Sequence, residues 1–307
     1  MLDPLEAFAA ACRRRDPLRE RGTDSLRLLD GAGDGSEFRG LIVDDFAGRW
    51  LVQTSGGKYA EPPGWLRTFS PAPASIYWKR LDVRNKEAPA HWAGERADAP
   101  FAVRENGLRY KIDFQAGYSQ GIFLDQRDNR AAVGRRAKPG QAVLNCFAYT
   151  CAFSVAAAAA GTPTVSIDLS RRSLDWGREN FSLNGIDADG SHEFLAGDVF
   201  DWLRRFAKQG RRFGGIVLDP PTFSRNRDGR VFRVEHDFGR LVELSAPLLA
   251  KGGWMLCTTN QRSLAAADFR KMIAASLPAP ATWKISPAPM PPDFTGEPYL
   301  LSLWISS

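Results

Sequence analysis

Three short stretches carry residues that can do chemistry together: Asn145-Cys146-Phe147-Ala148-Tyr149-Thr150, Asp168, and Asp219-Pro220-Pro221. Each closes an apolar run of the kind that makes a buried strand: 142–147, 164–168 and 215–219. An acid that ends a strand can accept hydrogen bonds from the two ribose hydroxyls of a nucleoside cofactor. The interval from Asn145 to Asp168 suits one βαβ unit, which favours that use of Asp168 over a mere lead-in to the next helix. Gly197-Asp198-Val199 follows a third strand, Glu193-Phe194-Leu195. Asp198 can accept from an adenine amino group while Val199 packs on the ring, and it can equally cap the following helix.

Asp219-Pro220-Pro221-Thr222-Phe223-Ser224 is the sharpest local signal. Two prolines after a buried strand fix the backbone and remove two donors. A rigid corner results, where the Asp219 side chain can face a flat substrate and Phe223 can stack on it.

These ends meet only if the elements before them lie side by side. From about Val143 the chain alternates strand and helix. Helices are expected over 152–160, stopped by Gly161, and from Ser170 to Asn184, with Leu174, Gly177 and Phe181 inward. Further helices are expected around Trp202, from Val234 to Leu249 and from Asp268 to Ser276, with strands at 253–258 and 299–305. Such alternation implies a mostly parallel sheet covered on both faces, with ligands beyond its carboxyl edge. The first third differs. It has one expected helix, strands at 40–44, 50–53 and 75–79, and a hairpin turned by Asn106-Gly107 between 101–104 and 109–114. The expected division is a small α+β domain over residues 1–115 and an α/β domain over 116–307.

The motifs at 145–150, Asp168, Gly197-Asp198 and Asp219-Pro220-Pro221 resemble those of class I S-adenosylmethionine-dependent methyltransferases. The segment Gly117-Tyr118-Ser119-Gln120-Gly121-Ile122-Phe123-Leu124-Asp125-Gln126-Arg127-Asp128-Asn129-Arg130 resembles the lead into the catalytic domain of bacterial 23S rRNA methyltransferases. Those include a cytosine-5 enzyme and a guanine-N7 relative. The likeness runs from Leu26 to Tyr299. It implies a Rossmann-like seven-stranded sheet. It implies S-adenosylmethionine as cofactor, held by Arg127, Asn145, Phe147, Tyr149, Thr150, Asp168, Leu169, Asp198, Val199 and Asp219. It implies RNA, most of all ribosomal RNA, as partner, with catalysis at Asp219, Pro220, Pro221, Phe223 and Asn260. Two departures stand out. Cys151-Ala152 replaces the usual Gly-Gly after Tyr-Thr, a less permissive turn. The RNA-binding domain at the N-terminus of the cytosine-5 member has no expected counterpart, which leaves RNA to the first domain and to basic patches.

The acceptor atom follows from one position. Carbon-5 of cytosine is a poor nucleophile, so its enzymes first add a cysteine to carbon-6. The resemblance places that cysteine where this chain has Asn260; Cys257 lies three residues earlier, inside the strand. Asn260 can offer donor and acceptor to a base edge. The expectation is therefore a ring nitrogen or another base position rather than cytosine C5.

Composition bounds the rest. The chain has 307 residues, 44% hydrophobic and 25% charged, with no apolar run near the roughly 20 residues that span a bilayer. Acids near the first residues, where a secretion signal needs bases, point to the cytoplasm. Four cysteines without a C-x-x-C pair, and three histidines, give no zinc pattern. A net charge of +6 favours an anionic partner. Basic clusters stand at 13–15, at 204–205 with 211–212, and at Arg225, Arg227, Arg230 and Arg233. A nicotinamide oxidoreductase would need G-x-G-x-x-G after the first strand, which is lacking. A methyltransferase of proteins or small molecules, or a non-catalytic RNA-binding module, stays open at this point.

Overall fold

The computed structural model describes residues 3–83, 87–188, 190–225, 231–278 and 283–306, with only the backbone at 223–225 and 231. The chain forms two compact units, Met1–Arg127 with Pro291–Pro298, and Asp128–Met290 with Tyr299–Ser307. The expected division at 115/116 falls inside the first unit.

The first unit begins with helices α1 (Pro4–Arg13) and α2 (Asp16–Glu20). The single expected helix is interrupted because Pro17 starts a second one rather than continuing the first. Strands β1 (Ser25–Asp30), β2 (Leu41–Phe46), β3 (Arg49–Thr54), β4 (Ser75–Arg80) and β5 (Ala90–Gly94) form one sheet in that order. All neighbours run antiparallel except β3 and β4. Its core joins Phe8 and Ala11 of α1 to Leu26, Leu28, Val43, Trp50, Val52 and Ile76. β6 (Phe101–Glu105) and β7 (Leu108–Ile112) make the hairpin, and Asn106 and Gly107 both take positive φ as the turn requires.

The second unit opens with α3 (Arg127–Arg136) and β8 (Val143–Cys146). Then come α4 (Ala152–Ala158), β9 (Thr164–Asp168), α5 (Arg171–Leu183), β10 (His192–Ala196), α6 (Val199–Lys208) and β11 (Phe213–Leu218). A short antiparallel pair, β12 (Phe223–Arg225) and β13 (Val231–Arg233), precedes α7 (Val234–Ser245). β14 (Leu249–Thr259), α8 (Ala266–Ser276), β15 (Lys284–Ala288) and β16 (Leu301–Ser306) complete the unit. The seven-stranded sheet has the order β10-β9-β8-β11-β14-β16-β15. The first five strands are parallel and β16 runs antiparallel to both its neighbours. The helix expected to reach Leu249 stops at Ser245. Pro247 permits only a 3-10 turn over 246–248, and Leu249 already belongs to β14.

Side chains alternate across this sheet. Leu144, Cys146, Ile167, Ile216, Leu218, Met255 and Cys257 pack against α6, α7 and α8. Val143, Val217, Trp254 and Leu256 pack against α3 and α4 on the other face. Among the described residues no helix is long and apolar enough to cross a membrane.

The segment 291–298 leaves the second unit between β15 and β16 and is anchored in the first by buried charge. Asp293, 1% exposed, takes Arg127 through both carboxylate oxygens and the Arg27 N–H at 2.9 Å. Its carbonyl accepts from Arg15 at 2.9 Å. Arg15 spends its other donors on Asp34, at 2.7 Å twice, and on the carbonyls of Ala11 and Arg27. Removing one partner of a buried ion pair strands the other without solvent. Asp293→Ala is therefore expected to lower stability by about 3–5 kcal/mol in denaturant titration. A loss under about 1 kcal/mol would show that Arg127 and Arg27 find other acceptors.

Candidate active site

Strand register sets the site. Cys146 pairs with both Ile167 and Leu218, Ile167 with Leu195, and Leu218 with Cys257. The next residue along each parallel strand is thus Phe147, Asp168, Ala196, Asp219 and Thr258. The expected strand-end residues of the second unit consequently lie along one edge.

The loop after β8 is held in an uncommon backbone form. Phe147, Tyr149 and Cys151 have φ of 60°, 47° and 61°. Such left-handed positions cost non-glycine residues about 1–2 kcal/mol each. Hydrogen bonds offset the strain. Ala148 N–H donates to the Ile167 carbonyl at 2.8 Å, and Cys151 N–H to the Ala148 carbonyl at 2.7 Å. Tyr149 N–H donates to Asp168 Oδ2 at 2.8 Å. The Thr150 carbonyl accepts from Asn180 Nδ2 of α5 at 2.9 Å. Cys151 is the N-cap of α4, so the residue standing where glycine is usual keeps the left-handed geometry. Burial pushes its thiol up to about 12. Space for it comes from Gly177 on α5: a Cβ there would lie 2.8 Å from Cys151 Cβ and closer still to Sγ.

Asp168 is half-buried, and its second oxygen accepts Ser170 N–H at 2.8 Å. Burial raises its pKa above the ordinary carboxylate value, and the Ser170 and Tyr149 N–H groups oppose that rise. Each oxygen thus accepts one backbone donor, and a carboxylate oxygen can accept two. Leu169 next to it is 37% exposed. Ser170 caps α5 through its side chain, as expected. Gly197 N–H donates to the Asp168 carbonyl at 2.9 Å, and Trp202 leaves no room for a side chain at Gly197. Asp198 caps α6 by accepting Phe200 N–H at 2.8 Å, while Val199 is buried in the core beneath.

Asp219 is half-buried and accepts a short hydrogen bond from Thr258 Oγ1. Pro220 is buried and Pro221 exposed. Asn260, just past β14, is exposed, whereas Cys257 is 0% exposed on the α6–α8 face, where burial drives its thiol far above the reactive range.

Not every expected residue lies at this edge. The Asn145 side chain is buried between sheet and α4, donating to Ser154 Oγ at 2.9 Å; Ser154 in turn contacts Ser166 at 2.8 Å. Arg127 belongs to the first unit and is taken up by Asp293. The side chain of Phe223, and the cluster members Arg225 (side chain), Arg227 and Arg230, lie outside the described residues. Thr258, Asn180 and Ser154 were not singled out from sequence. Asn180 could have been, as a polar residue one turn from Gly177 on the inward face of α5.

A family profile described as S-adenosylmethionine-dependent methyltransferase matches residues 68–298. YwbD of Bacillus subtilis, provisionally named a ribosomal RNA large subunit methyltransferase, is 34% identical over 281 residues, covering 89% of this chain and 70% of its own. Ribosomal RNA large subunit methyltransferase I of Aeromonas salmonicida is 35% identical over 282 residues, covering 88% and 69%. A crystal structure provisionally titled a methyltransferase, SMU.776, complexed with SAH superposes with a TM-score of 0.86 at 27% identity, covering 99% of this chain and 80% of its own.

The Cys151–Gly177 contact yields a coupled test. Gly177→Ala should destabilise by about 1–3 kcal/mol through overpacking. Adding Cys151→Gly removes the atoms that the new methyl meets and frees the left-handed turn, so the double variant should be more stable than Gly177→Ala alone. Urea unfolding of the wild type and three variants measures this. Strictly additive losses would mean that the contact does not shape the loop.

Proposed function

From a chain that belongs to the S-adenosylmethionine-dependent methyltransferase family, we infer a methyl transfer to a ring nitrogen of a ribosomal RNA base, made without a covalent protein–RNA adduct. The observation that carries the choice of atom is the contrast along β14: exposed Asn260 at its end, and Cys257 sunk in the core. The names of the relatives, ribosomal RNA large subunit methyltransferases, support the substrate class.

The strand-end edge of the second unit fits the cofactor. Asp168 retains acceptor capacity for two ribose hydroxyls after its two backbone bonds. Exposed Leu169 suits the face of a purine, and the tightly bonded 147–151 loop sets Phe147 and Tyr149, both part-exposed, beside it. S-adenosylmethionine, when bound, carries a methyl on a sulfonium; an acceptor lone pair forms the new bond as the carbon–sulfur bond breaks. What the protein adds is alignment and exclusion of water. Asp219 is oriented by Thr258, and the two prolines hold its corner rigid. Asp219 and Asn260 then hydrogen-bond the base edge. A ring nitrogen with a free lone pair needs no activation beyond this. Cytosine carbon-5 would need a thiolate. Burial raises the thiols of Cys146, Cys151 and Cys257 alike.

Two measurements follow. Asp168→Ala should weaken S-adenosylmethionine binding by about 1.5–3 kcal/mol in calorimetry, the worth of hydrogen bonds to a charged group. Only the ionised carboxylate accepts from both hydroxyls. Its pKa is raised, so wild-type affinity should fall with acid at a higher pH than an ordinary carboxylate would cause, and Asp168→Asn should lose that dependence. For stability the sign is opposite: ionisation of this buried acid costs folding energy above its raised value, and the cost vanishes below the unfolded one. An unchanged affinity in a folded Asp168→Ala protein would remove the residue from the site.

The second measurement uses RNA carrying 5-fluorocytosine, which traps a carbon-6 adduct. No denaturant-stable crosslink is expected, and Cys257→Ser should keep most of the activity. A crosslink that disappears in Cys257→Ser would make the protein a cytosine-5 methyltransferase.

A further inference from the structure

Part of two of the basic clusters visible in the sequence is neutralised by nearby acids. Arg15 is buried on Asp34, and Arg14 pairs with the same carboxylate. Arg211 pairs with Glu193 and Arg204 with Asp201. Among the described residues a further group of open cations belongs to none of these clusters.

Arg135 and Arg136, in the last turn of α3, and Lys138 just beyond it rim an open groove of about 290 Å³. All three are exposed. Among the described residues none of them has a carboxylate within ion-pair distance, and no acid lines the groove. The floor is main chain at Gly214 and Gly253, with the edge of Trp254. A side chain at Gly214 would run into Gln141, and one at Gly253 into the Ala250 and Gly214 carbonyls. Arg136 is held in place, its guanidinium 4.5 Å from the centre of the Trp304 ring and its carbonyl accepting from Trp254 Nε1 at 3.2 Å.

The groove lies at the edge opposite the candidate active site. Its lining includes Val143 and Gly214, at the amino ends of β8 and β11, and Ser306, the last residue of antiparallel β16. Trp254 and Asn260 are six residues apart in the chain, or roughly 20 Å along a strand at about 3.3 Å per residue. Two arginines at a helix carboxyl end also stabilise that helix through its dipole. That explains neither Lys138, which lies outside the helix, nor the two glycines of the lining that have no room for a side chain. A concave site rimmed by forked and point cations that are unpaired among the described residues, with no acid among its described lining residues, suits phosphodiester oxygens.

We propose that this groove is a second contact with the RNA substrate, gripping the sugar-phosphate backbone at a distance from the base being modified. The proposal rests on the ribosomal RNA reading above. Phosphate contacts fix orientation and carry no sequence information. The groove thus governs affinity and docking and leaves methyl transfer itself untouched.

The test is salt-dependent binding of a large-subunit ribosomal RNA transcript by the whole protein. Each phosphate contact adds about 0.7–0.9 to the slope of log affinity against log salt. Arg135→Gln with Lys138→Gln should lower the slope by about 1.5, raise the KM for RNA and leave kcat and S-adenosylmethionine affinity at wild-type values. Arg135→Lys with Lys138→Arg should keep the slope. Arg240→Gln, at an exposed position on α7 away from the groove, should also keep it. A slope unchanged in the double glutamine variant would overturn the groove while RNA binding itself stands. An equal fall in Arg240→Gln would overturn it too, by reducing the effect to net charge. A wild-type protein that binds no RNA would overturn the substrate reading, and the groove with it.

Discussion

A parallel strand cannot turn back on itself. Its chain must leave at the carboxyl end, cross over the sheet as a helix and re-enter at the amino end. In the second unit β8, β9, β10, β11 and β14 all obey this constraint, so every departing loop appears on one edge. The pairing is in register across Cys146, Ile167 and Leu218, which brings Phe147, Asp168 and Asp219 level. The left-handed turns at 147, 149 and 151 hold because Asp168 and the Ile167 carbonyl supply fixed acceptors for the loop's N–H groups. A one-residue slip of β9 against β8 would move those acceptors and turn its side chains to the opposite faces. The register is therefore the condition on which the edge depends.

The first unit is organised differently, around buried charge. Arg15, Arg27 and Arg127 are nearly inaccessible, and each meets a carboxylate. Arg27 bridges Asp30 and Asp44, and Gln53 donates to Asp44 at 2.6 Å. Such a network is weak as a source of stability but intolerant of a missing member, because an uncompensated charge cannot reach water. It also recruits Asp293 and the 291–298 segment from far along the chain, and Gly296 N–H binds Asp30 at 2.7 Å within the same network.

Periodicity made most of the second unit legible. The apolar runs before Asn145, Asp168 and Asp219, the Ser170 cap and the Gly161 stop each express a local rule, and local rules survive folding. The β12–β13 pair and β15 escaped notice because strands of three to five residues are too short for a clear alternating pattern. α3 escaped because its Arg-rich sequence has almost no apolar stripe to signal a helix. Which arginines of a basic cluster stay open was not legible for a related reason. Sequence shows where cations are frequent, not which of them a distant acid neutralises, as Asp34 does for Arg14 and Arg15. Gly177 was noticed as part of an inward face, but its purpose, room for Cys151, needs the coordinates of both helices.

β14 shows how strand geometry limits the chemistry open to a cysteine. Side chains alternate with period two, so Cys257 and Thr258 point to opposite faces. Thr258 reaches Asp219, and Cys257 enters the core beside α7 and α8. Cys257 is locked on both sides, against Leu218 of β11 and Leu303 of β16. A bulge could re-aim it only by breaking both ladders at once. The irregularity that β14 does contain lies between Leu249 and Trp254, at its amino end. Beyond Thr259 the ladder ends, and position 260 is the first from which a side chain can act without leaving a partner strand. That position holds an amide, which can hydrogen-bond a base but cannot add to it. The ring-nitrogen acceptor proposed above, which brings its own lone pair, is in keeping with that amide.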